Sequence, residues 1–188
     1  MASDPIDHAA QDEALSPSQR QTLQQAQRLL SNGQPGEAAR LFAKLAEGLA
    51  FSNRPRRAAN LHAQAAHAFA DSHNETAALT QARAALTLFL QHRMVERSPV
   101  FYANISRKLT NLGMPNAAET LAGEFASKLP KPTPAPQATP AMPPAGQSAR
   151  LPTNCPKCGA PIRSSEAHWI DANTVECGYC GTLIRPAA

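Results

Sequence analysis

Three stretches decide the fold: LSNGQPGEAARL at residues 30–41, FADSHNETAALT at 69–80 and LTNLGMPNAAET at 109–120. Each holds the apolar end of one helix, a short polar turn, and a pair of alanines in the next helix. The pairs are Ala38-Ala39, Ala77-Ala78 and Ala117-Ala118, and the first alanine recurs after 39 and then 40 residues. Small residues at that point let two antiparallel helices approach closely, and hairpins built this way stack side by side.

Working outward, residues 16–129 read as six helices. Ser16-Pro17-Ser18-Gln19 is a start signal, with a capping serine, a proline whose missing N–H costs nothing, and a glutamine placed to close a capping box. Leu23, Ala26 and Leu30 follow at helical spacing, and Gly33 ends the helix. Pro35 opens the second helix, with Ala38, Phe42, Leu45 and Leu49 inward. Asn53-Arg54-Pro55 opens the third, with Ala58, Leu61, Ala65 and Phe69 inward. Ser72 to Glu75 reads as a capping box for a fourth through Ala78, Ala82, Ala85, Leu86 and Phe89, running on toward Glu96. Ser98-Pro99 is read as the next start, before Tyr102, Ile105, Leu109 and Leu112. Gly113 and Pro115 separate it from a sixth helix carrying Ala118, Leu121 and Phe125.

The small pairs, with bulky Phe42 and Phe125 after the first and the last, resemble tetratricopeptide repeats. The spacing exceeds that family's 34 residues, and its Trp, Gly and Tyr of the first helix are absent. The resemblance spans about 114 residues and implies a hairpin stack whose odd-numbered helices line a groove; a plain bundle of hairpins gives the same element order. On the third helix Arg57, Asn60, Gln64 and His67 form a polar stripe, read as a candidate partner surface against the plainer reading of a solvated face.

All four cysteines fall near the end of the chain: Cys155-Pro-Lys-Cys158-Gly159 and Cys177-Gly-Tyr-Cys180-Gly181, with 18 residues between the pairs. Two intervening residues let both thiolates of a tight turn face one ion, and the spacing lies in the range of a four-cysteine zinc site. Four thiolates at ~2.3 Å complete a tetrahedral shell, which makes such a site structural. Residues 151–188 are too few to bury a self-sufficient core, so metal binding would supply folding free energy on the order of 10 kcal/mol. Strands are expected at 168–171, 174–177 and 182–185. The segment resembles the zinc-ribbon family at all four cysteines and both glycines, over about 34 residues. That resemblance implies one structural Zn²⁺ on Cys155, Cys158, Cys177 and Cys180; iron on the same ligands stays open. A redox dithiol would want a thioredoxin-like setting that the sequence lacks.

Composition frames these modules. Of 17 prolines, eight lie between 130 and 152, which reads as a stiff linker reaching up to ~70 Å at ~3.1 Å per residue. Residues 1–15 are polar and aperiodic, an expected disordered leader. The domains are therefore 16–129, helical, and 153–188, the ribbon. Net charge is +4 over 188 residues, and the one tight basic cluster is Arg54, Arg56 and Arg57. The ribbon's Lys157, Arg163 and Arg185 balance Glu166, Asp171 and Glu176, and Zn²⁺ on four thiolates adds −2, which disfavours phosphate. No run of apolar residues is long enough to span a membrane, and no secretory signal is present, so a cytoplasmic location is expected.

His62, His67, His73 and His92 form no i, i+4 ligand pair, and exposed or capping histidines are expected. No nucleophile elbow or phosphate loop occurs, so no enzyme activity and no catalytic residue are assigned. The sequence reads as a mainly α, non-enzymatic protein-interaction adaptor with a structural zinc ribbon and a protein or peptide partner. The alternative is a nucleic-acid or transcription-associated zinc-ribbon factor.

Overall fold

The computed structural model describes residues 15–94, 97–129, 151–153, 155, 162, 168–171, 174–177 and 183–185. The protein is mainly helical. Among the described residues six helices follow one another: α1 (Pro17–Ser31), α2 (Pro35–Phe51), α3 (Pro55–Asp71), α4 (Glu75–Gln91), α5 (Arg97–Asn111) and α6 (Pro115–Phe125). Three short strands come after them, β1 (His168–Asp171), β2 (Thr174–Glu176) and β3 (Leu183–Ile184).

One device joins all six helices. At every junction a single residue takes a left-handed backbone: Gly33 (φ 75°), Asn53 (57°), His73 (55°), Arg93 (53°) and Gly113 (79°). The next N–H reaches back five residues, as in Gln34 to Leu29 (2.9 Å), Arg54 to Leu49 (2.8 Å), Asn74 to Phe69 (2.9 Å), Met94 to Phe89 (2.8 Å) and Met114 to Leu109 (2.8 Å). This is the Schellman arrangement, which satisfies the last carbonyls of each helix and turns the chain back sharply. The five left-handed residues stand 20 positions apart, from 33 to 113.

The core repeats with the same step. Leu45, Ala65, Ala85, Ile105 and Phe125 are all buried, as are Leu49, Phe69, Phe89 and Leu109. The small residues Ala38, Ala58, Ala78 and Ser98 are fully enclosed. One helix with its turn is thus the structural unit, and the 39–40-residue alanine spacing is two such units.

Lateral bonds fix the stacking. Arg97 Nη1 donates to Asn60 Oδ1 (3.1 Å) and Lys108 Nζ to Asp71 Oδ2 (2.8 Å), each pair 37 residues apart. Two bridges at one offset mean that α5 runs alongside α3 in the same direction. Arg83 Nε donates to Glu124 Oε2 (2.8 Å), and the same pair makes a second, shorter contact, joining α4 to α6. A β-carbon placed on Gly36 would stand 3.4 Å from that of Ser72, so the α1–α2 and α3–α4 turns share one end of the stack. The α2–α3 and α4–α5 turns lie at the other.

Helix α3 is the centre. Twelve of its 17 residues are buried, seven of them alanine, and α2, α4 and α5 pack around it. A helix enclosed on most faces needs small side chains to let its neighbours approach. Helix α1 closes the first end with a polar outer face that exposes Arg20, Gln21, Gln24 and Gln25, as terminal units of stacked repeats require.

Several start signals sit elsewhere than the sequence suggests. The Ser16 box forms, with Ser16 N–H on Gln19 Oε1 (2.9 Å) and Gln19 N–H on Ser16 Oγ (3.2 Å). At α4 the cap is Asn74, whose Oδ1 accepts from Ala77 N–H (3.1 Å), while Ser72 closes α3. Helix α4 stops at Gln91, short of Glu96, because Arg93 turns left-handed. Helix α5 starts at Arg97, so Ser98 is not its cap but an enclosed first-turn residue.

Leu15, assigned to the leader, is buried in the helical core; the rest of the leader and residues 130–150 of the linker lie outside the described residues. Among the described residues no helix is long and apolar enough to cross a membrane.

Candidate functional site

The three strands form one antiparallel sheet in the order β1-β2-β3. Trp169 pairs with Val175 and Val175 with Ile184, with an irregularity between Trp169 and Asp171. Cys177 therefore follows directly on the central strand. Ile162 N–H donates to Thr153 C=O (2.9 Å), two residues before Cys155. Cys155 and Cys177 are each only 2% exposed and share one small cluster with Ile184, against which Ile162 packs.

The fold thus brings the first cysteine of each Cys-x-x-Cys pair into one buried cluster. Cys158 and Cys180 lie outside the described residues, and among those described no group of three or more ligating side chains occurs. Two thiols buried together, each leading a pair whose second member follows three residues on, match half of a four-thiolate donor set.

The polar stripe on α3 is placed differently from the expectation. Gln64 is 1% exposed and His67 5%, so they face the interior and offer no partner surface. His67 lies edge-on to Phe101 of α5, with ring centroids 5.6 Å apart. Asn60 receives the Arg97 guanidinium; Arg57 stays half-buried at the start of the helix. The stripe is read best as the seam between two parallel helices, where polar groups pair sideways.

His62 belongs to the same interior, against the expected exposed histidine. It is 7% exposed, and its Nδ1 lies 2.7 Å from Gln81 Oε1 of α4. Burial lowers its pKa from the ordinary 6.5, partly countered by the Gln81 hydrogen bond and by Glu47. Burial holds the His67 pKa well below that value, and the Lys108 charge pushes it the same way. Both rings are consequently neutral at pH 7. His73 occupies a left-handed turn position, and His92 closes α4.

Comparison of the chain with family models, with curated proteins and with solved structures gives no match.

Proposed function

We propose that the chain is a non-enzymatic protein-interaction adaptor: a stack of single-helix units joined through a proline-rich segment to a small sheet module organised by one structural zinc ion. Cys155, Cys158, Cys177 and Cys180 would hold the ion. When bound, it would supply no chemistry beyond cross-linking the two Cys-x-x-Cys segments.

The observation that carries the reading is the convergence of Cys155 and Cys177 beside the β2–β3 pair. A thiol pair enclosed in so small a cluster suits the soft, closed coordination of zinc. The adaptor reading is further supported by the stack, which repeats a single unit and so presents an extended surface of helix faces and turns. Two modules on one chain raise each other's effective concentration when both engage the same assembly.

The test is purification of the full chain from its own cells under mild conditions, beside the Cys155→Ser/Cys177→Ser variant. A protein that co-purifies stoichiometrically and falls away from the variant supports the reading. A chain that elutes alone, or one carrying nucleic acid in place of protein, overturns it.

A further inference from the structure

The outer face of α2 carries an ordered pattern of charge that ends on an exposed ring. Glu37, Arg40, Lys44, Glu47 and Phe51 are all exposed. They follow one another at steps of three and four, so they share one stripe along the helix. Phe51 is 95% exposed and is the one large apolar side chain so placed among the described residues. Gly48 lies on the same stripe, and a β-carbon placed on it would meet open space. Helices α1 and α3 pack on the buried side, which carries Ala39, Phe42, Ala46 and Leu49. Glu47 acts on His62 through its charge and stays exposed.

The order of the charges selects the partner. The stripe holds two acids and two bases, so it favours neither a polyanion nor a polycation. Arg40 and Lys44 stand four residues apart, where like charges oppose each other. A copy of the same helix laid antiparallel answers both. With the two-fold axis between Lys44 and Glu47, Lys44 meets Glu47 of the second copy, and Glu47 meets its Lys44. The same register lays Arg40 against Phe51 of the second copy, once at each end. A guanidinium over an aromatic face is attracted to it, more strongly when water is excluded. The open space at Gly48 lets the two backbones approach. A register centred on Lys44 would set that ammonium against its own copy, so charge fixes the alignment.

We propose that the chain pairs with a second copy of itself through the outer face of α2, antiparallel and two-fold symmetric, with Lys44 on Glu47 and Arg40 on Phe51 across the axis. Such an interface is self-complementary, as two-fold symmetry requires. Helix α2 has 17 residues and is ~25 Å long, so one helix from each copy covers much less than the ~800 Å² per partner of a stable interface. The dimer is therefore weak and reversible. It sets two stacks side by side, which strengthens binding to any assembly with repeated sites.

The test is sedimentation equilibrium of the reduced full chain from about 10 μM to about 1 mM, a range that captures weak association. The mass is expected to rise from one chain toward two. Lys44→Glu and Glu47→Lys should each hold the chain monomeric, and Phe51→Ser should weaken association about tenfold. All three positions are exposed, so these variants fold, and helical circular dichroism checks that they do. The decisive sample is an equal mixture of the Lys44→Glu and Glu47→Lys chains. One carries two acids at these positions and the other two bases, so the two variants should pair with each other. A mixture that stays monomeric would overturn the proposal, as would an unaltered chain that stays monomeric at about 1 mM. So would a dimer indifferent to the charge exchanges, or one lost only when residues 1–14 are removed, because either would place the contact on another segment.

Discussion

The Lys108 ammonium lies 2.7 Å from one carboxylate oxygen of Asp71 and 2.8 Å from the other, three turns along the same pair of helices from the Arg97–Asn60 bond. The two bridges tie α5 to α3 in parallel register. Their side chains are 21% and 23% exposed at the Lys108–Asp71 pair, so water screens this contact less than an ordinary surface pair. A double-mutant cycle of Asp71→Asn and Lys108→Met by denaturant unfolding should give a coupling of about 1 kcal/mol.

The Arg83–Glu124 pair between α4 and α6 is the control. Its partners are 40% and 37% exposed. Their hydrogen bond raises the arginine pKa and lowers that of the carboxyl, but at the surface this translates weakly into stability. Its coupling should be smaller than that of Lys108–Asp71 and should disappear in about 1 M salt. Equal couplings at high salt would contradict this ranking.

The buried histidines make stability depend on pH. His62 and His67 both titrate below their ordinary 6.5 in the folded chain, so the unfolded chain takes up protons first as pH falls. Stability is therefore full above about 6.5 and drops below it. The unfolding midpoint should fall between pH 7 and pH 5, and His67→Leu should flatten the slope. A midpoint rising toward pH 5, or an unchanged slope in the variant, would contradict the burial argument.

The turns give opposite signs at equivalent sites. Gly33→Ala and Gly113→Ala place a β-carbon on a left-handed backbone and should each cost about 1 kcal/mol. His73→Gly and Arg93→Gly relieve the same strain and should each gain about 0.5 kcal/mol, after the greater freedom of glycine in the unfolded chain is counted. Asn53→Gly should change least, because asparagine tolerates this conformation. Thermal unfolding of the five variants checks the series.

Those turns also explain what the sequence discloses and what it hides. Six helices were legible, because Pro17, Pro35, Pro55 and Pro115 mark starts and Gly33 and Gly113 mark stops. The 20-residue unit was not, because Asn53, His73 and Arg93 fill the same left-handed role as the glycines without their signature. The strands were legible from turn residues at 171–173 and from β-branched neighbours. The stripe on α3 misled because Arg57, Asn60, Gln64 and His67 fall at helical spacing whether they face water or a polar seam. Only the parallel placement of α5, which no local pattern encodes, distinguishes the two. At the cysteines the structure places Cys155 and Cys177 in one cluster, and Cys158 and Cys180, on which the four-thiolate expectation also rests, lie outside the described residues.

The most direct measurement is elemental analysis of reduced full-length protein, paired with chelator titration followed by tryptophan emission and helical circular dichroism. Trp169 is the single tryptophan and lies on β1, so its emission serves as the signal for the sheet module. The account expects one zinc per chain, an emission change on chelation and an unchanged helical signal. Metal-free protein, iron in place of zinc, or helical loss in step with the emission change would contradict it.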